Sequence, residues 1–299
     1  MTSSPLRLSY SALKEYETCP RLFQINRLIY QEKAAETSEH LSFGKAVGAG
    51  FQSLLAYKDL ERALFDCFLA YEPMIETAED STKEKKTFER ACMAIEVASK
   101  EWDFSSWELL TFNGKPATEL SFKLVLNDEG DYYCGYVDAV LRHLPTGKLT
   151  VIDCKTTGLN LFNLEALYKH SPQALSYSIV LDDITPSGNL FTVFYIVFQL
   201  KKPHIYPILH SLPFTKTRLD RLNWLLTVQG QLAEIKQGIA LDFFRQRELG
   251  CYRYGRTCPL INVCDLQLEA AATAEQEEED WDIVVTFDQL LELNQQNFT

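Results

Sequence analysis

Asp138, Asp153 and Lys155 sit in two apolar strand patterns joined by Leu144-Pro-Thr-Gly147. Pro at the second position of that connector and Gly at the fourth suit a type I turn closing an antiparallel hairpin. Counting outward from Leu144 opposite Gly147 brings Asp138 across from Asp153. Opposed side chains on one face of a hairpin lie roughly 4.5–5.5 Å apart at Cβ. Lys155 shares that face because strand side chains alternate. Two carboxylates held this close among Val, Ile and Leu repel each other and lose water, which is costly unless a cation lies between them. A hard divalent cation, Mg2+ or Mn2+, suits such a pair, and a lysine beside it can hold an attacking water or the charge developing on a phosphate. The pattern points to phosphodiester hydrolysis. A structural Asp153–Lys155 ion pair with Asp138 near the surface fits the same residues equally well.

The elements that must position these groups follow from periodicity. Ser9 is placed to cap a first helix carrying Leu13 and Tyr16, and Pro20 to start a second, short one after Cys19. A long helix is expected over Phe43 to Ala70, its first turns weakened by Gly44, Gly48 and Gly50, and another over Glu84 to Trp102. From Ala117 the period becomes alternating: residues 117–126 form a strand carrying Glu119, either an outer ligand or an exposed acid, and the central hairpin follows. Ser171-Pro172 starts a helix to about Leu181, with Gln173 and Tyr177 four apart on one face. Strands at 189–200 and 204–212 and a helix at 217–237 complete the body. The expected fold class is α/β, a mixed sheet flanked by helices in a single domain.

Composition is that of an ordinary globular enzyme, 46% hydrophobic and 23% charged. No apolar run approaches the roughly 20 residues of a membrane span. The N-terminus has neither the charged nor the apolar region of a signal peptide, so a cytoplasmic location and no membrane partner are expected. Of the net charge of -12, the last 35 residues contribute ten acidic groups and no basic ones, leaving 29 basic against 31 acidic groups in residues 1–264. A nearly neutral body does not exclude a nucleic-acid enzyme.

Taken in order, Glu119, Gly135-Tyr-Val-Asp138, Asp153-Cys-Lys155-Thr and Gln173-Ala-Leu-Ser-Tyr177 resemble the active-site series of the PD-(D/E)XK nuclease superfamily, specifically its RecB-like branch. The opening Leu8-Ser-Tyr-Ser-Ala-Leu13 with Cys19-Pro-Arg21 resembles that branch as well. The resemblance implies a restriction-endonuclease-like core over residues 1–264, with a helical insertion at about 43–102. It implies metal held by Asp138, Asp153 and the backbone carbonyl of Cys154, water positioned by Lys155, and a DNA path lined by Gln173 and Tyr177. The branch usually carries a metal-binding His in its early helix; here Phe43-Gly-Lys-Ala-Val47 is followed by Gly48. Water, Glu119 or a distant His such as His40 or His170 must take that place, or metal binding is weakened.

Eight cysteines in a cytosolic chain favour metal or catalysis over disulfides. Cys251, Cys258 and Cys264 stand in a loop pattern without helix or strand period, suited to soft metals. In CRISPR-associated RecB-like exonucleases and AddB-type nuclease domains, a single N-terminal cysteine completes a 4Fe-4S cluster with three C-terminal ones. The resemblance therefore implies a cluster on Cys19, Cys251, Cys258 and Cys264, stapling the ends of the domain across the Cys-rich segment 251–264. The six residues between the first two C-terminal cysteines exceed the two usual in those relatives, so Zn2+ on the same ligands and a purely packing role stand as alternatives. Cys67, Cys92 and Cys134 fall on helix or strand patterns and read as core.

Residues 265–299 read as an acidic, flexible tail. Its apolar members from Trp281 to Leu291 offer a protein-docking segment within 275–299, a cover for the DNA channel, or a short capping helix. The whole chain reads as a Mg2+- or Mn2+-dependent DNA exonuclease acting on single-stranded DNA or DNA ends in recombination, repair or replication, in a bacterium or phage. The alternatives are a catalytically impaired DNA-binding or scaffold subunit that lost activity with the His-to-Gly change, and a CRISPR adaptation nuclease with the same residues.

Overall fold

The computed structural model describes residues 5–30, 39–71, 86–185, 190–201, 206–253, 256–266 and 280–295. Residues 31–38, 72–85 and 267–279, the last within the expected acidic tail, lie outside these residues. The elements run β1 (Arg7–Ser9), α1 (Tyr10–Thr18), α2 (Pro20–Phe23), a π-helical turn Gln24–Ile29, α3 (Glu39–Tyr57), α4 (Leu60–Ala70) and α5 (Phe88–Glu101). There follow β2 (Trp107–Leu109), β3 (Thr111–Phe112), β4 (Lys115–Pro116), β5 (Thr118–Val125), β6 (Tyr132–His143), β7 (Leu149–Thr157), α6 (Leu161–Lys169) and α7 (Pro172–Ile184). The chain continues through β8 (Leu190–Gln199), β9 (Ile208–Thr217), α8 (Arg218–Ala240), α9 (Glu248–Cys251), β10 (Tyr252–Arg253), β11 (Arg256–Thr257), β12 (Ile283–Thr286) and α10 (Phe287–Gln295). This is the mixed α/β architecture expected from the periodicity, with a mixed sheet flanked by helices.

Two compact units share the chain: one holds Thr37–Ser121 and Tyr136–Arg221, the other Met1–Glu36, Phe122–Gly135 and Leu222–Thr299. In the first, β6 and β7 are antiparallel, β7 and β8 parallel, and β8 and β9 antiparallel. A parallel pair needs a crossover connection, and here α6 and α7 supply it between β7 and β8. Alternation sorts the strands' side chains onto two faces. Ala139, Leu141, Ile152, Ile196 and Phe198 join Phe43, Val47, Phe51 and Leu54 of α3 and Ala91, Ala94, Ile95 and Ala98 of α5 in one core. Asp138, Asp153, Lys155 and Tyr195 therefore fall on the other face, the one covered by α7.

The long helix expected over Phe43 to Ala70 is interrupted. Lys58 adopts φ +54, a left-handed conformation that ends α3, and Asp59 then caps α4 by accepting from the Arg62 N–H at 3.1 Å. The two helices pack on each other and α3 packs on α5. A Cβ on Gly50 would meet Ile95 at 2.8 Å, so this glycine permits the close approach of α5 that outweighs its poor helix propensity.

In the second unit, β1 runs parallel to Tyr132–Cys134 of β6, and Ser9 caps α1 by accepting from the Ala12 N–H at 3.3 Å, as expected. Trp224, Leu225, Val228, Leu232 and Ile235 of α8 are buried there. The tail departs from a flexible segment over its described part. Its strand β12 pairs in parallel with Phe122–Val125 of β5, and Ile283, Val285 and Leu290 are buried, so these side chains are already covered by the chain itself. Among the described residues, no helix is long and apolar enough to cross a membrane.

Candidate active site

The hairpin register places the two aspartates. Ala139 faces Ile152 and Arg142 faces Leu149, and one more step along the ladder sets Asp138 opposite Asp153. The turn itself differs from the expected type I turn over Leu144–Gly147. His143 O accepts from both the Thr146 N–H (3.2 Å) and the Gly147 N–H (2.7 Å), and Gly147 takes φ +68. The loop is still symmetric about the same centre, as the His143 N–H bond to Lys148 O shows, so the register is unchanged.

Asp153 is fully enclosed. The Lys155 ammonium lies 2.9 Å from its Oδ1 and 2.7 Å from its Oδ2, but only Oδ1 receives a hydrogen bond of proper geometry, so Oδ2 is a buried oxygen with an ionic neighbour and no hydrogen bond. Oδ1 also accepts from the Tyr177 hydroxyl at 3.2 Å, and Tyr177 in turn accepts from the Gln173 amide at 2.7 Å. Across the hairpin, Asp138 accepts the Cys154 N–H on its Oδ2 at 2.6 Å.

Burial pushes both carboxyl groups up. Asp138 reaches about 8, with the charge of Asp153 as the second cause, while Lys155 and the Cys154 N–H pull the other way. Asp153 is raised by burial against the pull of Lys155 and Tyr177. Lys155 is desolvated, which alone would lower it, but the charges of Asp153 and then Asp138 outweigh that and keep it protonated. One ammonium thus serves two carboxylates. The deficit of positive charge and the orphaned Asp153 Oδ2 are what a divalent cation would satisfy, so the residues fit such an ion.

The other expected residues fall as follows. Gln173 is half-buried, and Tyr177, only 4% exposed, is committed to Asp153. Its phenol orients that carboxylate. The Cys154 backbone sits between the aspartates, with its N–H on Asp138. Glu119 is exposed, takes φ +50, and accepts from the Gln52 amide at 2.5 Å. Its charge contributes to the rise of Asp138. A Cβ on Gly48 would meet nothing within 4 Å, and one on Gly44 would lie 3.8 Å from Thr156 Oγ1, so the place where the family's imidazole would project is open. His170 caps α6 and acts electrostatically on Asp220; the His40 side chain lies outside the described residues.

Sequence reasoning missed Gln52 and Tyr195. Tyr195 is fully buried, pairs in register with Asp153, stacks on Tyr168 at 4.2 Å and is felt by Lys155. A tyrosine in an apolar strand and a glutamine in a helix carry no signal of their own.

The four cysteines lie in the second unit, and a Cβ on Gly250, next to Cys251, would lie 2.9 Å from Cys19 Cβ. Burial pushes the Cys264 thiol up, the Gln246 amide opposes this, and Cys19 adds to the rise. Cys251 and Cys258 bracket the β10–β11 hairpin, the Cys258 N–H donating to Cys251 O at 2.8 Å. Arg21 ties the N-terminal helices to this loop by donating to Cys264 O at 3.0 Å and Leu266 O at 2.6 Å. Among the described residues, no three His, Cys, Asp or Glu side chains converge on one ion.

Comparison with known proteins agrees with the geometry. A crystal structure from Eubacterium rectale, of a protein assigned as an exonuclease, superposes with a TM-score of 0.51 over 89% of this chain and 91% of that one at 11% identity, a likeness of fold. A search of curated proteins returns no significant match. The profile of the PD-(D/E)XK nuclease superfamily matches residues 7–265, which include the opposed aspartates, the lysine and the cysteine loop. The chain belongs to the PD-(D/E)XK nuclease superfamily.

Proposed function

We propose that the protein is a Mg2+- or Mn2+-dependent DNA exonuclease of the RecB-like type, acting at DNA ends in recombination, repair or replication. The observation that carries this reading is the register-opposed pair Asp138 and Asp153 with Lys155 on the same face. Asp138, Asp153 and the Cys154 carbonyl would hold the cation. When bound, the cation supplies Lewis-acid stabilisation of phosphate charge and eases deprotonation of water. Lys155 is the residue placed to orient the attacking water and to meet negative charge on the phosphate. Tyr177, backed by Gln173, fixes the Asp153 carboxylate through a buried hydrogen bond. Attack on phosphorus adds one water across the P–O bond, leaving one phosphate monoester and one hydroxyl.

A second reading, a catalytically impaired DNA-binding subunit, is favoured by the open space at Gly48. Digestion of linear and covalently closed circular DNA tests both. Loss of the linear molecule with the circle spared supports an exonuclease; cleavage of both indicates an endonuclease, and cleavage of neither supports the binding subunit.

Our reading of the cysteine loop is a 4Fe-4S cluster on Cys19, Cys251, Cys258 and Cys264. The gathering of all four cysteines in one unit, with Cys19 against Gly250 beside Cys251 and within electrostatic reach of Cys264, supports it. Iron, sulfide and visible absorbance in anaerobically purified protein, lost in Cys258→Ala, would bear it out; colourless, iron-free protein would refute it.

A further inference from the structure

The chain leaves the aspartate–lysine strand over a short lip that is fixed at both ends. Asp153, Lys155 and Thr157 alternate on one face of β7, and the parallel register sets Tyr195 beside Asp153 and Gln199 beside Thr157 on β8. Thr157 therefore lies two residues, about 7 Å, beyond Lys155. Its Oγ1 accepts from the Leu159 N–H at 3.1 Å, which turns the chain out of the strand. The Leu159 carbonyl accepts from the buried Gln199 amide at 2.6 Å, and Gln199 Oε1 accepts from His210 Nε2 at 3.2 Å. Asn160 then caps α6 by accepting from the Asn163 N–H at 3.1 Å. At the far end of α6, Tyr168 stacks on Tyr195 at 4.2 Å with the rings 7° from parallel. The helix is thus held over the face that carries Asp153 and Lys155.

The outward side of this segment is apolar. Leu164 of α6 is buried, but Phe162 is 81% exposed, Leu159 and Leu167 are half exposed or more, and Ala166, one turn after Phe162, is exposed as well. A single exposed leucine is ordinary; an almost bare phenylalanine with two leucines on one short, pinned segment is a surface with an occupant. Its continuity with Lys155 names that occupant. An apolar ring gains nothing from a phosphate, but it stacks on the flat face of any base. Bases inside a duplex are covered by their neighbours, so a ring at this lip meets a base only in a single strand or at an end. We infer that Phe162 is a base-stacking platform, which takes an unpaired nucleobase of the strand whose phosphate lies at Lys155 and so selects single-stranded DNA and DNA ends. The lip is held before DNA arrives, so stacking carries little ordering cost.

This inference rests on the reading of Asp153 and Lys155 as a nuclease site, and the test separates the two. Full-length wild type, Phe162→Ala and Phe162→Trp are titrated in EDTA with a single-stranded oligonucleotide carrying 2-aminopurine at one position in turn. A second oligonucleotide is abasic at the position most quenched by wild type. Phe162 is almost fully exposed, so its replacement keeps the fold, which circular dichroism checks. Phe162→Ala should weaken binding roughly five- to 100-fold, the range of one base–aromatic stack. The slope of affinity against salt should not change, because no phosphate contact is lost. Quenching should fall with affinity, and Phe162→Trp should retain both. On the abasic oligonucleotide the loss in Phe162→Ala should disappear, because its effect passes through that base. Wild-type affinity and quenching in Phe162→Ala, or an equal loss on the abasic oligonucleotide, overturns the inference. So does a wild-type dimer, read by light scattering, that becomes monomeric in Phe162→Ala with DNA affinity unchanged; the patch then belongs to a second copy. Wild type that neither binds these strands nor cleaves them in Mn2+ or Mg2+ overturns the nuclease-site reading itself.

Discussion

The Cys154 N–H donates to Asp138 Oδ2 at 2.6 Å, straight across the hairpin from the strand that carries Asp153 and Lys155. This bond leaves Asp138 with a single neutral donor where Asp153 has an ammonium, so the two carboxylates share one face of the hairpin with unequal compensation.

That inequality sets a pH dependence. Asp138 is raised from 3.8 to about 8, chiefly by burial and then by Asp153. A carboxyl group whose folded pKa is raised contributes stability that is full below its unfolded pKa and is lost as pH rises through the folded one. In EDTA, the melting temperature of wild type relative to Asp138→Asn should therefore fall between about pH 4 and pH 8 and then level off. Mn2+ affinity should climb over the same window, because protons compete for the carboxylate. A pH-independent difference in melting temperature would show that Asp138 is not a raised acid.

The Gln173–Tyr177–Asp153 chain makes Tyr177 an orienting group. Tyr177→Phe removes one hydrogen bond to a charged acceptor, typically about 1.5–3 kcal/mol. Cleavage should drop roughly tenfold or more, and the acid limb of the pH–rate profile should move to higher pH, since Tyr177 helps hold Asp153 down. An unchanged profile with weaker DNA binding would return Tyr177 to the strand path.

The helix that carries these groups is anchored by an ion pair. Arg221 contacts Asp182 of α7 with both side chains almost fully buried, its guanidinium over the Phe191 ring at 4.1 Å, and burial brings its pKa down to about 9. Asp182→Ala should destabilise by about 3–5 kcal/mol, because it strands a buried charge, and Asp182→Ala with Arg221→Met should recover much of the loss. Urea denaturation reads both; a loss under about 1 kcal/mol in the single variant would mean that water reaches the arginine.

Truncation after residue 279 should lower the denaturation midpoint. It exposes the surfaces against which Ile283, Val285 and Leu290 pack, each worth about 1.5–3 kcal/mol when fully buried, and removes the Trp281–Tyr132 edge contact. An unchanged midpoint would mean that β12 and α10 detach freely, which would revive them as a docking segment.

The aspartate pair was legible because hairpin symmetry is local: any turn centred between Leu144 and Gly147 sets Asp138 against Asp153, and the observed turn differs in type without moving the centre. The Ser9 cap and the start of α2 at Pro20 were legible for the same reason. The break at Lys58 was not, since apolar spacing continues through it and only the backbone leaves the helical region. Pairing of β12 with β5 and the Gln52–Glu119 bond join residues far apart in sequence, and nothing in an isolated Gln or a four-residue apolar run names its partner.

The most direct measurement is cleavage of end-labelled linear DNA by anaerobically purified protein with Mn2+, Mg2+ or EDTA, with Asp153→Ala and Lys155→Ala beside wild type and circular dichroism on all three. Metal-dependent release of label that EDTA abolishes, and that falls at least about 10²-fold in both folded variants, is the predicted result. Full activity in either variant, or no cleavage by folded wild type in Mn2+ or Mg2+, would contradict a catalytic site built on Asp138, Asp153 and Lys155.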